Sequence, residues 1–262
     1  GASNTIMGYE AGDALTTGPR NVAVGSAALT ANTTGANNVA IGTNAMTTDV
    51  YSNGTVAVGY QALYTQNYTG ATDSLNTAVG YTAGYYLTTA LSDTLVGWGA
   101  GDAITTGSYN DAFGRNALGA CTTGASNSAF GNLALDALTT GGSNVAVGQH
   151  AGGAITTGSQ NVCLGTNSGL SITDGAYNTF VGYGSGDALT EGDKNVAVGR
   201  GALGTDVYGN KSVAVGYEAL LAQTHSSELD FHNTAVGFSA GLNVTTGLDN
   251  TLIGGLAGDA IT

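Results

Sequence analysis

Few side chains in this 262-residue sequence could do chemistry, and their spacing narrows the choice quickly. The histidines His150, His225 and His232 stand at no spacing from cysteines or carboxylates that would surround a metal ion, which needs several convergent ligands. Cys121 and Cys163 occupy different places in a repeat and lie several coils apart, so they read as small apolar fillers rather than a disulfide. Asp13, Asp102, Asp136, Asp187 and Asp259 recur at one place of the repeat but in separated copies, which predicts corner-shaping residues and no acidic ladder. The Gly-Gly-x-Gly-x-Asp pattern of a calcium roll is absent. No Ser, His and Asp constellation can be named, so no catalytic residue, metal or cofactor is expected and the chain reads as a non-enzyme.

Chemistry of recognition has better candidates. Tyr60, Tyr81 and Trp98 follow the turn glycine of three successive copies, and Tyr217 and Phe238 do so in two more. In a parallel stack they would line up about 4.8 Å apart as an aromatic strip. Such a strip either stiffens the stack by cross-strand packing or offers a stripe to a glycan or a protein. Two copies are four residues longer, in Tyr64–Leu75 and Leu221–His232. Insertions in stacked repeats fall in loops on one face, often the binding face. Tyr64, Tyr68, His225 and Phe231 are therefore further candidates for contact with a partner.

These residues are carried by a repeat, seen most plainly in Asn144-Val145-Ala146-Val147-Gly148. Its glycine returns fifteen times between Gly8 and Gly254, at steps of 17 residues with two steps of 21. A short fixed period means a stacked architecture, here an all-β parallel β-solenoid, or β-roll, of about fifteen coils, one elongated domain over residues 1–262. Val, Ile and Thr suit the strand and glycine the corners. One coil alone cannot offset its backbone entropy, roughly 1–2 kcal/mol per residue, so stacking must supply the stability. The sequence starts and stops partway through a repeat, as expected of a window on a longer fibre.

The columns of the repeat predict its packing. A bulky apolar residue precedes the turn glycine in every copy, and the residue before that is mostly Ala: Ala23, Ala40, Ala57, Ala146, Ala197 and Ala214 among others. Neighbouring strand residues point to opposite faces, so both faces are apolar while a coil has one lumen. With the bulky column inside, the Ala column is expected to meet sister chains; with the faces the other way round, the column of Val147 does, and in either case the chain is expected to be a homo-oligomer, a trimer. Four residues after the glycine the sequence alternates between Gly and a large apolar residue, and where it is Gly the residue three further on is large. That pattern predicts one pocket per coil, filled from either position. Four residues before the glycine stands Asn in twelve copies, which predicts an amide ladder.

Composition limits the partners. With 18 acidic and 5 basic residues the net charge is −13, and so few cations cannot neutralise a run of phosphates; nucleic acid is excluded. No stretch is long and apolar enough for a membrane span. The Thr-Thr pairs raise an ice-binding solenoid, but adjacent threonines point to opposite faces, where a flat ice-binding face needs both on one side.

At Asn21-Val22-Ala23-Val24-Gly25, Asn38-Val39-Ala40-Ile41-Gly42 and Asn195-Val196-Ala197-Val198-Gly199, with Ala28, Ala45 and Ala202 as the small residue that follows, the chain resembles the head domains of trimeric autotransporter adhesins. The resemblance covers essentially the whole sequence. It implies a left-handed β-roll, a homotrimer, display on an extracellular cell or virion surface, and adhesion to a glycan or host-surface protein. Similar repeats occur in bacteriophage tail fibres, so a tail-fibre shaft is the alternative that the same resemblance implies.

Overall fold

The structure, a computed structural model, describes residues 2–224, 227 and 229–261. It is an all-β parallel β-solenoid, with no helix among the described residues. The chain divides into two compact units, Gly1–Asn127 and Ser128–Thr262. Nothing in the sequence marks this boundary, because the 17-residue step from Gly114 to Gly131 runs through it unbroken.

In the first unit the strands run from Thr5–Met7 and Val22–Val24 to Asp111–Phe113, each hydrogen-bonded in parallel to the next. In the second they run from Ser128–Phe130 and Val145–Val147 to Thr251–Ile253. The register follows the repeat: Ala23 lies opposite Ala40, and Ala146 opposite Cys163. Across the longer coils it is kept as well, with Ala57 opposite Ala78 and Ala214 opposite Ala235.

The turn glycine holds φ between 124° and 145° in all fifteen coils. That region is closed to side chains, and space forbids one too: a methyl built on Gly25 would lie 2.6 Å from the Gly42 carbonyl oxygen. Two further corners are left-handed without being glycine-bound. The residue five before the turn glycine has positive φ in every coil, among them Arg20, Tyr109 and Lys194. The large residues four after it do too, with φ of 55° at Leu29 and 51° at Leu203. A left-handed L-residue costs about 1–2 kcal/mol. Burial of the side chain offsets this at Leu29 and Leu203, which are 0% and 1% exposed.

The lumen is lined by the opposite face from the one expected. Ala23, Ala40, Ala57, Ala146, Ala197 and Ala214 are all 0% exposed within a single chain, so they have no surface to give a sister chain. The bulky column points outward: Ile41, Phe130, Val147 and Val236 are exposed, and Val24 and Val58 half-buried. The reason is volume. A coil of 17 residues has a narrow lumen that must also take the residue four or seven beyond the glycine, so only a methyl fits from the strand.

The five exceptions obey the same limit. Ile6, Leu95, Cys163, Phe180 and Leu252 replace the strand alanine, and each of their coils has glycine four past the turn: Gly12, Gly101, Gly169, Gly186 and Gly258. Methyls built on Gly101 and Gly186 would come within 2.7 Å of Leu95 and Phe180 respectively. The neighbouring Gly84 and Gly241 are vacated for Leu95 and Leu252 of the next coil, and Gly152 faces Cys163. Coils with Leu29, Met46, Leu63, Leu118, Leu135, Leu203 or Leu220 have alanine in their own strand and in the next one. The expected pocket shared between two positions is present, and the strand residue is its third occupant.

The Asn column forms the expected ladder. Asn161 Oδ1 accepts from the Asn178 backbone N–H at 3.0 Å, and Asn161 Nδ2 donates to the Gly175 carbonyl at 2.8 Å. Asn21 and Asn38 repeat this in the first unit, Asn195 in the second. At each of these rungs one amide ties its coil to the next and closes a corner fourteen residues on.

Candidate functional site

The columns that leave the coil carry its stacked aromatic and guanidinium side chains. Tyr60 and Tyr81 stack with centroids 5.1 Å apart and planes 16° from parallel; Tyr81 and Trp98 follow at 6.3 Å and 11°. The Arg115 guanidinium closes this strip 5.3 Å from the Trp98 ring. In the second unit Arg200 sits between Tyr183 and Tyr217, 5.9 Å and 5.4 Å from their rings, and Tyr217 stacks on Phe238 at 5.2 Å and 8°. Each unit thus holds a four-rung ladder of aromatic and guanidinium groups. Tyr64 and Tyr85 form a second stack, 5.1 Å apart, with Tyr86 edge-on.

This geometry divides the two readings of the strip. Tyr60, Tyr81, Trp98 and Phe238 are 41–59% exposed. Because each ring lies face to face with its neighbour, its edge rather than its stacked face accounts for that exposure. A sugar stacks on ring faces, and those within the ladder are already covered. The ladder therefore stiffens the stack, and what it offers a partner is a row of phenol hydroxyls, the indole edge and two guanidinium groups.

Beside the second ladder lies a hollow of about 200 Å³, lined by Tyr183, Asp187, Arg200, Glu218 and Leu221. Gly184, Gly201 and Gly204 also line it, at positions where most other coils carry side chains. Arg200 donates to Tyr217 Oη at 2.7 Å and pairs with Glu218 at 3.2 Å. Partial burial raises the Asp187 carboxyl above the usual range, against hydrogen bonds from its own and the following backbone N–H. Asp102 is held the same way, as expected of a residue that shapes a corner.

The longer coils differ from expectation. Each adds a parallel strand pair, Ser52–Asn53 with Thr72–Asp73 and Gly209–Asn210 with Leu229–Asp230. Tyr68 and Phe231 are buried, so neither is available to a partner. Tyr68 Oη donates to the Ala90 carbonyl at 2.5 Å, and Phe231 fills the core below the added pair. The polar lumen residues made this legible. Gln66 and Gln223 donate to the buried Asp49 and Asp206, each at 2.6 Å, so the insertions fold over an internal polar network. His225 lies outside the described residues.

Among the other groups weighed, Cys121 and Cys163 are free and buried, and burial pushes both thiols up to about 12. His232 pairs with Asp249 at 3.5 Å on the surface. No cluster of three or more His, Cys, Asp or Glu among the described residues is placed to hold a metal, and no helix there is long and apolar enough to cross a membrane. In the pairs that begin at Thr88, Thr105, Thr139 and Thr156 the first threonine donates to the backbone of the next coil and the second is exposed.

Fold and surface together define a parallel β-solenoid repeat protein with ladders on its outer columns. Compared with protein-family models, curated proteins and solved structures, the chain matches none.

Proposed function

We propose that this chain is part of a non-catalytic extracellular fibre, an adhesin head whose sister copies associate through the outer face of the strands. The observation that carries the reading is the outward bulky column, seen at Val24, Ile41 and Val58 in one unit and Val147, Val198 and Val236 in the other. The residues two earlier on the same face, such as Val22, Val39 and Val145, widen it into an apolar stripe. Contiguous apolar surface of this kind marks an association site. A homotrimer would cover all three stripes at once. The hollow at Arg200 and the ladders' exposed polar edges lie outside that stripe in sequence, and serve attachment to a glycan or host-surface protein through hydrogen bonds and charge rather than ring stacking.

Sedimentation tests the assembly. A stable, monodisperse monomer at micromolar concentration refutes it. Val147→Asp should dissociate the oligomer and leave the coil folded, whereas Ala146→Asp should unfold the stack, since it buries a carboxylate in the lumen. Binding to a glycan array tests attachment, and thermal hysteresis would reveal the ice-binding alternative.

A further inference from the structure

One rung of the amide ladder is an acid. Asp93 stands in the Asn column, 0% exposed, between Asn76 and Asn110. Its backbone N–H donates to Asn76 Oδ1 at 2.9 Å, and its Oδ1 accepts from the Asn110 N–H at 2.7 Å, as at the amide rungs Asn161 and Asn178. Its Oδ2 is buried and has no hydrogen-bond partner. That oxygen stands where the ladder has an amide nitrogen. Asn76 donates to the Ala90 carbonyl at 2.9 Å and Asn110 to the Gly124 carbonyl at 3.0 Å, both fourteen residues on. The same register sets Asp93 against the carbonyl of Gly107.

Two other buried acids differ from Asp93 in their partners. Asp49 receives the Ser52 and Tyr51 N–H groups on one oxygen and Gln66 and the Ser52 hydroxyl on the other. Asp206 receives the Gly209 N–H on one and Gln223 on the other. Burial raises both carboxyls above their ordinary range, but donors on each oxygen work against that rise by favouring the charged form. Asp93 has a donor on one oxygen only, and a charged Oδ2 would face a carbonyl lone pair. The titratable groups nearest it are Asp111, the Tyr68 phenol and the Cys121 thiol, none of them a cation.

We propose that Asp93 is held as the neutral acid, donates its own proton to the Gly107 carbonyl in place of the amide, and makes this level of the stack a pH-sensitive latch. Burial, with Asp111 adding repulsion, drives the carboxyl from its ordinary 3.8 up to about 7. Between these values the folded chain binds a proton that the unfolded chain has lost, so this contribution to stability is complete below 3.8 and falls as pH rises toward 7. The unfolding constant of this level should rise by up to about tenfold per pH unit in that window, then level off.

Asp93→Asn restores the amide and removes the proton. Carboxyl 13C NMR of the wild type should show one aspartate, absent from Asp93→Asn, that titrates near neutrality. The wild type should lose urea resistance relative to Asp93→Asn between pH 5 and pH 8. Asp93→Ser, of a type the column already accepts at Ser212, is the second comparison should the first variant misfold, and it too should lack the pH-linked loss. An Asp93 carboxylate already charged at pH 5, or a stability gap to either variant that is the same at pH 5 and pH 8, overturns the proposal.

Discussion

Phe180 and Gly186 should behave as one volume shared between two positions. Phe180 is fully buried, and its removal to alanine should cost about 3–5 kcal/mol as a core aromatic. Gly186→Leu alone fails for another reason. Its Cβ would lie 2.7–2.9 Å from three atoms of the Phe180 ring, a rigid neighbour that cannot fold away. Overpacking costs about 1–3 kcal/mol or more, and a leucine at φ +57° adds about 1–2. Independent sites would thus lose roughly 5–10 kcal/mol together. In the double variant the leucine enters the space that the ring leaves. The coil then resembles that of Leu135 and Leu138, which has alanine in its own strand and in the next one, at Ala129 and Ala146. Some cavity remains beside Gly169, which also touches the ring. The coupling should still be favourable by at least about 2 kcal/mol. Urea unfolding, with amide exchange at Thr179–Val181 as the local readout, measures it. Additive losses, with coupling under about 0.5 kcal/mol, would refute the shared volume.

Two further outcomes follow from the same geometry. Gly148→Ala should destabilise by well over 2 kcal/mol, the sum of a φ of 132° forbidden to alanine and a methyl 2.7 Å from the Gly165 carbonyl carbon; thermal unfolding checks it. Arg115→Ala should cost at most about 1 kcal/mol while shifting the emission of Trp98, the chain's single tryptophan, because the guanidinium is removed from its ring face.

The coil, its period, its parallel register and the amide ladder were legible in the sequence, since each is a column of one residue type. The inside and outside of the strand were not. Hydrophobicity alone places Val147 inward and Ala146 outward, because it counts apolar area and not the width of the lumen. The deciding signal was present but relational. Where Leu95 or Phe180 replaces alanine, Gly101 or Gly186 answers it, and that pairing makes sense only if the alanine column faces the lumen. Tyr68 and Phe231 were misplaced for a similar reason. An insertion reads as a surface loop until Asp49 with Gln66, and Asp206 with Gln223, are seen as a buried network that needs a cover. The left-handed corners at Arg20, Tyr109 and Lys194 carry no residue signature, since packing rather than propensity holds them.

Recognition in such a chain has to be sought along the stack and not along the sequence. The inward columns are fixed by volume and by the ladder, so they cannot vary to suit a ligand. All five basic residues fall on two outward columns: Arg115 and Arg200 directly after the turn glycine, Arg20, Lys194 and Lys211 five before it. Aromatic residues share both columns, and Lys194 lies 5.9 Å from the Tyr177 ring just as the arginines lie against theirs. In a chain of net charge −13, three of the five cations, Arg115, Arg200 and Lys194, lie against aromatic rings, while Arg20 donates to Asn37 and Lys211 pairs with Asp230. Neighbours in space here are 17 residues apart in sequence, so no short motif could have revealed them. A contact surface on this fold is a vertical pattern, written one residue per coil.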